Sequence, residues 1–192
     1  MTLTDCTASR PARRPLCLRL PALVAGLAFA GLASAQVLEI AADGSPAGLD
    51  PHVVPAFNTV LINKNIYEGL TAIDKDLKIV PSLATSWTIS KDGLGYRFKL
   101  KPGVKFHNGK TMGAADVVAS LNRVRDPKTG SPYAARLSMV KEIVADKGDV
   151  VINLNTASLP LVGQLEGLAI VPAESLANTA DLQKVPVGTG PF

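Results

Sequence analysis

The chain has 192 residues, enough for one compact domain or for one domain and part of another. Of its 20 basic and 16 acidic residues, four and one lie in the first 35, so 16 stand against 15 in the remainder. That near-neutral remainder withdraws the main support for a nucleic-acid partner, and because both cysteines, Cys6 and Cys17, fall in the first 35 residues it also excludes disulfides, thiolate metal sites and cysteine nucleophiles.

Residues 1–35 have the layout of a cleavable export signal. Arg10, Arg13, Arg14 and Arg19 precede the apolar run LPALVAGLAFAGLA, and Ala33, Ser34 and Ala35 form a small-residue cleavage pattern, which predicts a cut between Ala35 and Gln36. The apolar run falls short of the roughly 20 residues a membrane-spanning helix requires. Arg13 and Arg14 are adjacent, but Pro15 and Cys17 stand where a twin-arginine signal prefers other residues, so the general export route is expected.

VLEIA (37–41) has the pattern of a short strand, and ADGSPAGLDPH after it is a loop rich in Gly, Pro and Asp. In 58–70, Val60, Leu61, Lys64, Ile66, Tyr67 and Leu70 recur at spacings of three and four. This predicts an amphipathic helix with Asn58 as N-cap and Gly69 near its stop. LTAIDKDLKIV reads as two short strands around a polar turn. In SWTISKDGLGYRFKLKPGVKFHNG, Trp87 and Ile89, then Tyr96, Phe98 and Leu100, give a hairpin with one apolar face, turning at 91–95. A bend at 101–103 and an Asn-Gly turn at Asn108 and Gly109 frame a strand VKF.

A helix follows over 114–125, with Val117, Val118, Leu121 and Val124 on one stripe and Asp126-Pro127 as its end. VKEIVADKGDVVINLN is a second hairpin, tipped at 147–149. A short helix near 159–165, a strand LAIV and a helix or turn near 173–177 complete the order.

Little in this sequence resembles catalytic machinery. His52 and His107 have no neighbours at metal-ligand spacing and read as a loop and a turn histidine. There is no GxSxG, and Gly188 and Gly190 lack the third glycine and downstream acid of a dinucleotide site, which leaves a turn. Asp74 with Asp76, and Asp146 with Asp149, fall in turns, where carboxylates accept backbone hydrogen bonds. Trp87, Tyr96, Phe98 and Phe106 sit on a period-two face and read as core rather than as a stacking platform. Binding is therefore expected over catalysis, with no cofactor and no metal.

Five collinear segments carry a resemblance: NIYEGL (65–70), PSLATSW (81–87), SKDGLGYRFKLKPGVKFHNG (90–109), AADVVASLNRV (114–124) and VGTGPF (187–192). Together they resemble the family 5 extracellular solute-binding proteins of ABC importers, which include dipeptide- and oligopeptide-binding proteins. The resemblance implies an α/β periplasmic-binding-protein fold of the class II type, present as its N-terminal portion. Residues 36–80 would open the first lobe, 81–185 would form a small extra α/β domain, and 186–192 would re-enter the first lobe, with the second lobe absent.

It further implies a periplasmic, non-enzymatic monomer that captures a peptide or other small solute and hands it to an inner-membrane permease with its paired ATPases. Family members are far longer, so the chain is expected to be an N-terminal fragment that binds solute weakly by itself. Ser45, Phe57, Asn58 and Thr59 correspond to segments that approach the cleft in relatives and are the ligand-contact candidates, with loop and helix capping as the plainer alternative. A secreted interaction or structural domain derived from the same family is the second reading.

Overall fold

The computed structural model describes residues 44–192, which lie within one compact unit, 42–192. The export signal, its cleavage point at Ala35 and Gln36, and the expected strand at 37–41 fall outside the described residues. Among the described residues no helix is long and apolar enough to cross a membrane.

The framework is an antiparallel sheet covered by one helix. Helix α1 (Phe57–Ile66) leads into a small ladder of β1 (Thr71–Ile73) and β2 (Ile79–Pro81). The main sheet has the order β3-β4-β6-β5, with β3 (Ala84–Ile89), β4 (Gly95–Leu100), β5 (Val140–Asp146) and β6 (Asp149–Leu154). Helix α2 (Ala114–Arg125) crosses between β4 and β5 in the chain. Short helices α3 (Leu161–Gln164) and α4 (Thr179–Leu182) follow, with 3-10 turns at Pro127–Thr129, Ala134–Leu137 and Ala173–Ala177.

Alternation along the strands decides which face is covered. Tyr96 and Phe98 of β4 are buried while Arg97 is exposed, and Val150, Ile152 and Leu154 of β6 are buried in step with them. The register sets Tyr96 opposite Ile152 and Phe98 opposite Val150, so the four side chains share one face. Val117, Leu121 and Val124 of α2 close over that face, and Leu70, Leu83, Leu165 and Ile170 extend the same core. Trp87 packs its ring 6.4 Å from Phe98. The β3–β4 hairpin is thus framework, as its pattern predicts for Trp87, Tyr96 and Phe98, while Ile89 at its end is half-exposed.

The tip of the β5–β6 hairpin is Lys147 and Gly148, at φ 52° and 90°. That pair of left-handed residues makes the two-residue turn whose twist suits a hairpin. Asp146 and Asp149 depart from the expectation of turn hydrogen bonds: both carboxylates pair with Arg97 of β4, at 2.6 and 3.4 Å.

Three expected elements are corrected. Helix α1 starts one residue before Asn58, with Ala56 at the N-cap and no side-chain cap. It ends at Ile66, because Tyr67 swings to extended backbone (φ −119°, ψ 147°). Its buried residues are Thr59 and Asn63, while Leu61 is half-exposed, so the enclosed side of α1 is polar rather than the apolar face the spacing suggests. VKF contributes only an isolated bridge from Lys105 to Thr111. LAIV forms no strand: Ile170 N–H donates to Glu68 O at 3.0 Å, and both backbone groups of Val171 are taken by the Ser120 hydroxyl, at 3.0 and 3.1 Å. Those polar groups are satisfied by a loop carbonyl and a side chain rather than by a neighbouring strand.

Candidate functional site

The residues singled out from sequence meet at one place. Loop 44–47 lies over the first turn of α1, where Ala47 N–H donates to Thr59 Oγ1 at 3.1 Å. Thr59 has no exposed surface, Asn58 is half-buried, and Ser45 and Phe57 are exposed, Phe57 to 75%. Gly44 sits so close to Asn58 that a Cβ on it would meet the Asn58 amide nitrogen at 3.0 Å. The structure therefore brings Ser45, Phe57 and Asn58 together on the outer side of the loop-helix junction and puts Thr59 beneath it.

What holds that junction was not visible from local spacing. Asp50 and Arg123 form a two-pronged ion pair, with Nη1 to Oδ1 at 2.9 Å and Nη2 to Oδ2 at 2.6 Å. His52 closes the group: its backbone N–H donates to Asp50 Oδ1 at 3.0 Å, and its ring bridges Arg123 Nη1 (2.9 Å, at Nδ1) and Ala169 O (2.8 Å, at Nε2). A guanidinium can only donate and a carbonyl can only accept, so Nδ1 is the acceptor and Nε2 carries the proton. Ser131 Oγ donates to His52 O at 2.6 Å, and Tyr67 Oη donates to Leu49 O at 3.2 Å.

The electrostatics follow from burial. Removal from water would raise the Asp50 pKa, but the hydrogen bonds from Arg123 and from the His52 backbone outweigh it, and the carboxyl is held below its ordinary value. His52, with 1% of its surface exposed, is pushed down to about 4, first by burial and then by the Arg123 charge. Burial, with the Asp50 charge nearby, raises the Tyr67 phenol above its usual value. Both His52 ring nitrogens are engaged, so the ring has no free lone pair for a metal or a substrate proton. The group works as a staple that fixes loop 49–52 to α2 and to 169.

One signal for the staple does exist in the sequence. Asp116, Ser120 and Arg123 stand at i, i+4 and i+7 beside the apolar stripe of α2, and each serves the outer segments. Asp116 accepts from Ala173 N–H (2.9 Å) and from Lys110 Nζ (2.7 Å), Ser120 holds Val171, and Arg123 holds Asp50. Beside the staple is a cleft of about 200 Å³, lined by Pro51, Val54, Asn63, Tyr67, Tyr133 and Arg136. Lys64 and Glu166 form an exposed ion pair at 3.1 Å on its wall. Among the described residues no three His, Cys, Asp or Glu side chains gather as metal ligands would.

The same fold occurs in solved solute-binding proteins. The PBP AgaA in complex with agropinic acid, from A. tumefaciens R10, superposes with a TM-score of 0.72 at 38% identity, over 78% of this chain and 31% of that one. The oligopeptide-binding protein AppA from Bacillus subtilis, in complex with a nonapeptide, gives 0.72 at 29% identity over 79% and 32%. NikZ from Campylobacter jejuni, in complex with Ni(L-His), gives 0.71 at 28% identity over 78% and 31%.

These neighbours define an α/β binding-protein scaffold. Residues 78–192 match the family described as bacterial extracellular solute-binding proteins, family 5 Middle, and the chain belongs to that family. Among curated proteins, the glutathione-binding protein GsiB of Pectobacterium atrosepticum is 35% identical over 178 residues, covering 88% of this chain. That of Escherichia coli strain K12 is 33% identical over 181 residues. The chain spans about a third of the length of these relatives, 35% of the first and 33% of the second. The family and the α/β fold implied by the five collinear segments are both borne out.

Proposed function

We propose that the chain supplies the N-terminal portion of the periplasmic solute-binding component of an ABC importer, with a peptide as solute and an inner-membrane permease and its ATPases as partners. The observation that carries this reading is the superposition on AppA, whose scaffold at the same TM-score of 0.72 holds a nonapeptide. On this reading, residues 1–35 direct export, 36–80 open the first lobe, 81–185 form the small extra domain and 186–192 return to the first lobe. Ser45, Phe57 and Asn58 face the solute, and Thr59 serves them from below by holding Ala47. The half-exposed Leu61 of α1 suits a helix that meets further scaffold on that side.

Capture by such a protein depends on closure of two walls around the solute, and a single wall offers little differential contact. Residues 36–192 alone are expected to bind peptides weakly. Joined to the remaining two thirds of the Pectobacterium glutathione-binding protein, they are expected to bind a tripeptide with a Kd on the order of 1 μM, and Phe57→Ala in that chimaera to weaken binding about tenfold, or 1.4 kcal/mol. Titration calorimetry on a chimaera that melts cooperatively, yet gives no heat with tripeptides or longer peptides, would refute the proposal.

A further inference from the structure

Residues 187–191 run through a slot between the end of α1 and the turn at 106–109. On the α1 side the approach is of backbone to backbone. Gly190 N–H donates to Ile66 O at 2.9 Å; a Cβ on Gly188 would stand 2.0 Å from Ile66 O, and one on Gly190 would stand 2.4 Å from Asn65 O. Neither position accepts a side chain without displacing the helix end.

On the other side, among the described residues, the hydrogen bonds to the two glycines come from one residue, His107. His107 N–H donates to Gly188 O at 3.0 Å, Nε2 lies 2.8 Å from Gly190 O, and Gly188 N–H lies 3.3 Å from Nδ1. The two ring contacts require one tautomer between them, since a carbonyl at Nε2 demands a proton there and an N–H at Nδ1 demands a lone pair. The turn that carries His107 is anchored in its turn. Phe106 is 2% exposed in the main core, its N–H donates to Lys110 O at 2.9 Å, and Gly109 N–H returns to Phe106 O at 2.8 Å.

We infer that His107 is a positioning residue: it clips residues 188–190 against the C-terminal end of α1 and so sets α1 relative to the sheet. The imidazole offers an acceptor to Gly188 and a donor to Gly190, one to each glycine of the passage. Because Phe57 and Asn58 stand at the opposite end of the same ten-residue helix, the clip governs the placing of the solute-facing end. This last step rests on the proposed solute-binding role; the clip itself does not.

The test is amide hydrogen exchange by NMR on the 192-residue chain at neutral pH. In His107→Phe, which keeps a flat ring without its nitrogens, Gly188 N–H is expected to exchange at least tenfold faster, while the Phe106 and Gly109 amides of the turn keep their protection. His107→Asn, whose Oδ1 can stand where Nδ1 stood, is expected to restore most of the Gly188 protection. Gly188→Ala is expected to expose the passage with His107 intact. Unchanged Gly188 exchange in His107→Phe, or no recovery in His107→Asn, would overturn the clip whatever the protein binds.

Should His107→Phe fail to fold, the ring nitrogens of the unsubstituted chain decide. Long-range nitrogen-proton correlation must find Nδ1 unprotonated and Nε2 protonated, and the reverse tautomer rejects the clip. If instead the clip behaves as expected while the chimaera takes up no peptide, the clip stands and only its service to solute capture falls.

Discussion

Replacing Arg123 by alanine is expected to destabilise the fold by about 3–5 kcal/mol, the range for removing one partner of a buried ion pair. The magnitude follows from what is left behind. Asp50 is 1% exposed and both its oxygens are held by the guanidinium, so its carboxylate would retain the backbone N–H of His52 and lose the cation bonded to it. Burial, already the largest influence on that carboxyl, would then have no opposing charge, and Asp50 would take up a proton or draw water into the site. Arg123→Met refills much of the volume but leaves the same stranded charge, so it should lose nearly as much. Asp50→Asn with Arg123→Met removes both charges and should recover most of the loss. Urea unfolding at pH 7 measures all three, and a loss below about 1 kcal/mol for Arg123→Ala would mean that the pair behaves as a solvated one.

The second large effect is acid sensitivity on the alkaline side of carboxylate titration. His52 is neutral in the folded chain, with its pKa pushed from 6.5 to about 4, while in the unfolded chain it protonates near 6.5. The unfolded state therefore binds the proton more readily, and stability falls as the pH falls. The contribution is fully present above pH 6.5 and is lost as the pH drops from there to about 4, a change of about 3 kcal/mol at 1.36 kcal/mol per unit. Protonation would also set a second cation against Arg123 Nη1, 2.9 Å from Nδ1. Asp50 acts in the same direction, but its lowered pKa moves that loss below the ordinary value of 3.8. Unfolding curves collected at half-unit steps should show the slope between pH 6.5 and 4. His52→Gln, which has no charge to gain, should flatten it. A wild-type stability that stays level across that window would sink the claim.

Much of the framework was legible in the residues because local periodicity and the final environment agree. Helix α2 lies where the spacing of Val117, Leu121 and Val124 and the stop at Asp126-Pro127 put it, and the β3–β4 and β5–β6 hairpins follow their alternation and turn residues. Where the two disagree, the tertiary contact wins. Leu61 has the right spacing for a buried face of α1, yet the loop that covers this helix is polar and selects Thr59 and Asn63. LAIV has strand composition, yet Glu68 and Ser120 satisfy its backbone before any ladder can. The candidate site was less legible still. Ser45, Phe57, Asn58 and Thr59 came from family resemblance rather than from any pattern of their own. The staple that holds their loop joins residues 71 to 117 positions apart, beyond the reach of a local motif. Its trace was the polar stripe of Asp116, Ser120 and Arg123 beside the apolar one.

The slot that receives Gly188 and Gly190 has a bearing on what such a scaffold can become. Its α1 wall is made of main-chain oxygens and its contents are glycines, so the frame there is specified by peptide groups that every amino-acid sequence carries. Side chains elsewhere can then diverge to suit a new cargo without redrawing the path of the chain, provided that the two glycines and the imidazole beside them stay. The side chains proposed to face the solute and the slot that frames them are, in this molecule, written in different atoms.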